Sequence, residues 1–246
     1  MCSTASPCAN PASPASTARS SPTSEEPPRT PQEEFEDLSG TQGLLLNTGD
    51  RVVFFGDSIT AADPGYVSFI REMLDNLYPE RRIEIVNKGI GGNKVTDLLE
   101  RVDRDVLALE PDWVSIAIGI NDVWHGPNGT PIDVFRRVYE ELLDRIAQGS
   151  RARVVLCTPS IIEEDPESEL NIQLRPYVEA VHEIGQRRGL LVVPIREAFL
   201  SALERARQTT QRPLFTTDGV HLNQAGNTLF GTTWLKALGA FGDLLP

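Results

Sequence analysis

Cysteine is scarce, with Cys2, Cys8 and Cys157 the only three in 246 residues, too few and too scattered for a disulfide framework. Cys157 ends a predicted buried strand, where a thiol serves as a small core residue. Histidine is equally rare, and no spacing of His, Cys or Asp resembles a metal site, so no metal is expected. No apolar run approaches the roughly 18 residues that a membrane-spanning helix needs. The N-terminus also lacks a charged segment leading into an apolar one, which points to the cytoplasm by default. A second reading stands beside it. Cys2 followed by a Ser/Thr/Pro/Ala tether is how a lipid-anchored exported protein begins once its signal is removed, so an exported or lipid-anchored protein is compatible with the sequence if Met1 is not the natural start.

Large apolar residues are nearly absent from Met1 to Glu34, and such a segment cannot bury enough surface to offset the entropy of ordering it. Residues 1–40 are therefore expected to be a disordered tail and residues 41–246 one domain with a full core. The net charge is −12, and six acidic against two basic residues give the tail −4 of it, so the domain is acidic as well. An acidic surface disfavours nucleic acid and anionic membrane as partners and suits an uncharged small-molecule or oligosaccharide substrate. Nothing in the pattern sets an oligomeric state, and a homo-oligomer is compatible with it.

Past the tail, short β-branched runs alternate with longer segments of helical period, the pattern of a parallel sheet covered by helices on both faces. Strands are expected at Arg51 to Phe55, Ile83 to Asn87, Trp113 to Ile118, Arg153 to Thr158 and Leu190 to Pro194. Between them, Tyr66, Val67, Ile70, Leu74 and Leu77 recur at three- and four-residue spacing and predict one apolar helix face. Val95 to Leu109, Val134 to Ile146 and Leu174 to Ile184 do the same. A last helix is expected over 225–238, with a short one around 197–206 and Pro213 in the loop that follows. The fold class is α/β, a three-layer α/β/α arrangement.

Four segments carry chemistry. The first strand runs into Gly56-Asp57-Ser58 just where the chain must turn towards a helix. A serine there stands at the carboxyl edge of the sheet beside a helix N-terminus, where partial positive charge favours a developing oxyanion. Asp and Ser are also favoured helix caps, and this segment alone does not choose between the two readings. Near the C-terminus, Asp218 precedes His221 by three residues, close enough to accept the imidazole Nδ1–H and leave Nε2 free to take a proton from a serine. Of the other histidines, His182 lies in a charged helix as a solvated residue, and His125 has no acid better placed than Asp122. The remaining segments, Gly89-Ile90-Gly91-Gly92-Asn93 and Gly119-Ile120-Asn121-Asp122, follow the second and third strands and offer a glycine N–H and an asparagine amide to a tetrahedral intermediate. These glycines could instead be plain turn residues. A dinucleotide loop fits them poorly, because the third glycine is missing and the segment follows the second strand instead of the first.

In an open sheet of order 2-1-3-4-5, ligands bind outside the carboxyl ends of the strands, in the crevice between strands one and three. Ser58, Gly92 and Asn121 follow strands one, two and three and converge there.

In wording, order and spacing these four segments resemble the four blocks of the SGNH hydrolases, the GDSL esterases and lipases, across about 200 residues. The resemblance implies a flavodoxin-like five-stranded parallel sheet, a serine esterase activity without cofactor, Ser58 as nucleophile, His221 as base and Asp218 as its orienter. It also implies an oxyanion hole from Ser58, Gly92 and Asn121. A narrower similarity, carried by 86–93, 112–115 and 119–124, is to bacterial acetylxylan esterases of this family, although Gly91 stands where a serine is expected. That similarity implies deacetylation of carbohydrate. Asp57, Tyr66 and Trp124 are the candidates for contact with substrate, Trp124 and Tyr66 by stacking on sugar rings, though Trp124 could equally be a packing residue behind the site. No long apolar insertion offers an acyl-chain tunnel. A lipase, lysophospholipase or thioesterase shares every one of these catalytic residues. A non-catalytic carbohydrate-binding protein on the same fold would be expected to lack a triad member, and none is missing.

Overall fold

Val52, Val53, Phe54 and Phe55 are consecutive and all fully buried, which requires that the first strand be covered on both faces. The computed structural model describes residues 43–206 and 213–242 and shows how this is done. The tail expected at 1–40 lies outside the described residues. Five parallel strands, β1 (Arg51–Gly56), β2 (Glu84–Gly89), β3 (Trp113–Ala117), β4 (Arg153–Cys157) and β5 (Leu191–Val193), form one sheet of order β2-β1-β3-β4-β5. This is the expected α/β arrangement, with strand bounds displaced by one or two residues.

Alternate residues of β1 serve opposite layers. Phe54 meets Tyr66 of α2 (Tyr66–Leu77) edge-on at 6.0 Å and Trp234 of α8 (Gln224–Ala237) at 5.1 Å. Phe55 faces the other way and lies under the Arg101 guanidinium of α3 (Val95–Asp105) at 4.3 Å. Helix α3 packs on α5 (Ile132–Gly149), which packs on α6 (Glu169–Arg188), while α7 (Ile195–Ala206) joins α8 in the first layer. Trp113 and Trp234 are buried as core residues, their indole N–H groups donating to Asp50 and to Ser115 of β3 at 3.0 Å each. Cys157 is buried at the end of β4. Among the described residues, no helix is long and apolar enough to cross a membrane.

Register is what assembles the site. Gly56 pairs with Gly89 on one side and Ala117 on the other, so the first three strands end in line. Gly56 must be glycine, since a Cβ there would lie 2.4 Å from the Ala117 carbonyl oxygen and 2.2 Å from Thr60 Oγ1. Beyond this line the chain turns into the short helices α1 (Ser58–Ala61) and α4 (Ile120–Trp124) and, from β2, into the loop that precedes α3.

Candidate active site

Asp57 and Ser58 turn their side chains to different partners. Asp57 is the N-cap of α1, and its Oδ1 accepts the Ile59 N–H at 2.9 Å. Ser58 is the first helical residue, and its Oγ lies 3.1 Å from His221 Nε2. His221 Nδ1 in turn lies 2.7 Å from Asp218 Oδ2. A carboxylate can only accept, so it fixes the imidazole proton on Nδ1 and leaves Nε2 as the acceptor for the serine O–H. The other oxygen, Asp218 Oδ1, accepts the backbone N–H of Val220 at 3.0 Å and of His221 at 2.8 Å. Hydrogen bonding, first from the His221 ring and then from these amides, holds the Asp218 carboxyl down at about 2, although the group is exposed.

The segment that presents Asp218 and His221 is a small hairpin. Thr216 bridges Leu222, Thr217 N–H donates to the His221 carbonyl at 2.9 Å, and Asn223 N–H donates to the Phe215 carbonyl at 2.9 Å. A single side chain from the opposite loop anchors it: Glu164 accepts the N–H groups of Leu214, Phe215 and Thr216 at 2.5, 2.8 and 2.8 Å, and the Thr216 hydroxyl at 2.8 Å. The Asn223 side chain then caps α8.

Across from this hairpin, the loop after β2 lies against the serine, since a Cβ on Gly91 would sit 3.8 Å from Ser58 Cβ. Gly92 takes a φ of 77°, in the left-handed region that favours glycine, with His125 beside it. Asn121 is 5% exposed, and one N–H of its amide donates to the Asn93 carbonyl at 3.0 Å. Ser58, Gly92 and Asn121 are thus brought to one edge, as their positions after three parallel strands require. Asp122, next to Asn121, is buried and accepts the Val95 N–H at the start of α3 at 3.2 Å.

Two expected substrate contacts are corrected. Tyr66 is 0% exposed, stacked on Phe230 at 3.9 Å with its hydroxyl 2.9 Å from Thr60 Oγ1, so no sugar reaches it. Asp57 is 2% exposed and engaged as a cap, and burial, reinforced by the Asp122 charge against the opposing Ile59 N–H and His221, pushes its carboxyl up to about 7. Trp124, at the end of α4, is 43% exposed, and Ile90, two residues before Gly92, is also exposed. His182 bonds to Glu197 at 2.8 Å, away from these groups. A cavity of about 500 Å³ beside α4 and α6 is lined by Asp122, Thr130, Gln173 and Tyr177 among others, but by none of Ser58, Asp218 or His221. Among the described residues, no group of three or more His, Cys, Asp or Glu side chains is arranged to hold a metal ion. The sequence reading missed the roles of Glu164, Asn93 and Arg101: Glu164 meets the backbone of 214–216, the Asn93 carbonyl meets Asn121, and Arg101 reaches back to the Gly56 and Lys88 carbonyls.

Known proteins resemble this chain in sequence and fold. The GDSL-like Lipase/Acylhydrolase family matches residues 54–229. An acetylxylan esterase from Geobacillus stearothermophilus is 33% identical over 216 residues, covering 80% of this chain and 97% of that protein. Its crystal structure superposes with a TM-score of 0.72, at 31% identity over 80% of this chain and 97% of that one. Catalytic mutants of the same esterase replace a serine, an aspartate or a histidine by alanine, the last two lying three positions apart. An alpha/beta hydrolase enzyme from the metagenome of Lake Arreo, Spain, gives a TM-score of 0.73 at 30% identity, over 80% of this chain and 99% of that one. A match spanning most of the chain, with a relative more than 30% identical over nearly its whole length, settles the assignment. The chain belongs to the GDSL-like lipase/acylhydrolase family, the SGNH hydrolases, and is a carboxylic ester hydrolase.

Proposed function

We propose that this esterase removes acetyl groups from carbohydrate, with Ser58 as nucleophile, His221 as general base and acid, and Asp218 as the group that orients the imidazole. The observation that carries the catalytic part is the unbroken relay from Ser58 Oγ to His221 at 3.1 Å and from His221 to Asp218 at 2.7 Å. Asp218 and His221 also share the three-residue separation of the aspartate and histidine replaced in the Geobacillus stearothermophilus catalytic mutants.

In the first step Ser58 Oγ bonds to the ester carbonyl carbon while its proton passes to His221 Nε2, giving an imidazolium that Asp218 stabilises. The carbonyl oxygen becomes an oxyanion, for which the N–H groups of Ser58 and Gly92 and the Asn121 amide are the proposed donors. Collapse breaks the bond to the alcohol oxygen, which leaves with the proton from His221. Water then repeats the sequence on the acyl-enzyme and releases acetate and free Ser58.

For the substrate, support comes from the acetylxylan esterase relative and from the site's openness. Asp218 and His221 are both more than half exposed, which admits a bulky alcohol such as a sugar chain. Trp124 stands exposed one turn beyond Asn121, where its ring face suits a pyranose. The expected outcome is acetate release from acetylated xylan and xylo-oligosaccharides, with acetyl favoured over octanoyl nitrophenyl esters in kcat/KM. A preference for octanoyl esters or phospholipids would point instead to a lipase-type substrate and sink the deacetylase reading.

A further inference from the structure

Arg101 lies in the charge-rich run Glu100-Arg101-Val102-Asp103-Arg104-Asp105, yet it is 7% exposed. Burying a guanidinium is costly unless its donors are satisfied, so the acceptors it has been given are informative. Nη2 donates to the Gly56 carbonyl at 2.9 Å, Nη1 to the Lys88 carbonyl at 2.9 Å and to Asp105 at 3.0 Å, and Nε to Asn93 Oδ1 at 2.7 Å. Asp105 is in turn held by Arg104. Gly56 ends β1 two residues before Ser58, Lys88 stands near the end of β2, and Asn93 follows Gly92. The Asn93 backbone carbonyl is the group that accepts the Asn121 amide. One rigid fork therefore reaches the mount of the nucleophile, the end of β2 and the loop that follows it, while the Phe55 ring fixes its plane from below.

We propose that Arg101 is a positioning residue for ester hydrolysis: it sets the strand end bearing Ser58 against the loop bearing Gly92, and through Asn93 it orients the Asn121 amide. The proposal rests on the reading of Gly92 and Asn121 as oxyanion donors. A lysine in its place keeps the charge but presents a compact ammonium on a flexible stem, without the planar fork that fixes these separated acceptors.

The test uses Arg101→Lys, Asn121→Ala, the double variant and Asn93→Ala, with folding followed by circular dichroism and active sites titrated with a fluorophosphonate. For folded Arg101→Lys we expect kcat per titrated site to fall roughly 10- to 100-fold with KM nearly unchanged, because small displacements of reacting groups cost rate more than binding. We expect the double variant to lose less than the product of the two single losses, since both act on the same amide. Asn93→Ala removes only the Nε acceptor, so it tests the same link even where Arg101→Lys does not fold. It should lower kcat at constant KM. Wild-type kcat in folded Arg101→Lys or in Asn93→Ala, while Asn121→Ala is impaired, would overturn the positioning role alone. Wild-type kcat in Asn121→Ala would instead overturn the oxyanion reading, and the Asn121 part of this proposal with it.

Discussion

Asp57 and Ser58 are neighbours with opposite fates. One turns its oxygen inward to cap a helix, and the other turns outward to a histidine. The inward carboxyl has a consequence for stability. Burial raises Asp57 to about 7 and the nearby Asp122 to about 6, against about 3.9 for an unfolded aspartate. Between pH 4 and 7 the folded chain therefore binds more protons at these two groups than the unfolded chain does. Their contribution is present in full below about pH 4 and is lost as pH rises through 6 and 7. Asp105 and Asp218, drawn down to about 2, work in the opposite sense but below about pH 4, outside this window. Asp57→Asn keeps a capping oxygen and cannot ionise. Thermal melts from pH 4.5 to 7.5 should show a shallower fall of Tm in Asp57→Asn than in the parent. Equal slopes would mean that Asp57 stays ionised throughout.

The hairpin that carries Asp218 and His221 depends on an element that the sequence does not link to it. Burial alone would raise the Glu164 carboxyl, but the N–H groups of Leu214, Phe215 and Thr216 together with the Thr216 hydroxyl hold it below its usual value. The same loop contributes a further bond, from Glu163 N–H to the Gly219 carbonyl at 2.5 Å. Glu164→Gln keeps one acceptor and loses the charge, and hydrogen bonds to charged groups are worth about 1.5–3 kcal/mol. Amide exchange over 214–223 is expected to speed up about tenfold or more, with kcat falling as the relay loosens and the global melt changing little. Unchanged exchange would show the hairpin to be self-supporting. A boundary elsewhere also moved: α6 starts at Glu169, capped by Ser168, and runs through Pro176, while apolar periodicity places its start at Leu174. Ser168, a favoured N-cap residue, was the available signal. The first turn exposes Ile172 and so carries little of the periodic pattern.

For the molecule as a whole, the gathering of Ser58, Gly92 and Asn121 was legible because it follows from one rule, while the sheet order came with the family resemblance. Parallel strands joined by helices end at a common edge, so residues just past three strand ends meet there. Tyr66 was misplaced although the same pattern spoke for burial: its spacing puts it on the apolar face of α2, and Thr60 satisfies its hydroxyl. The roles of Arg101 and Glu164 were invisible because the contacts that tie them to the site, Arg101 to the Gly56 and Lys88 carbonyls and Glu164 to the 214–216 amides, join segments far apart in the chain, and local charge patterning carries no trace of such contacts. What remains to be measured is the claim on which the mechanism turns, that Ser58 forms the acyl-enzyme. The most direct measurement is fluorophosphonate labelling with the modified peptide located by mass spectrometry, alongside acetate release by Ser58→Ala. The account predicts one label per active site, carried by Ser58, and a loss of turnover on the order of 10⁴- to 10⁶-fold in Ser58→Ala. A label on another residue, or acetate release by Ser58→Ala near the parent rate, would contradict it.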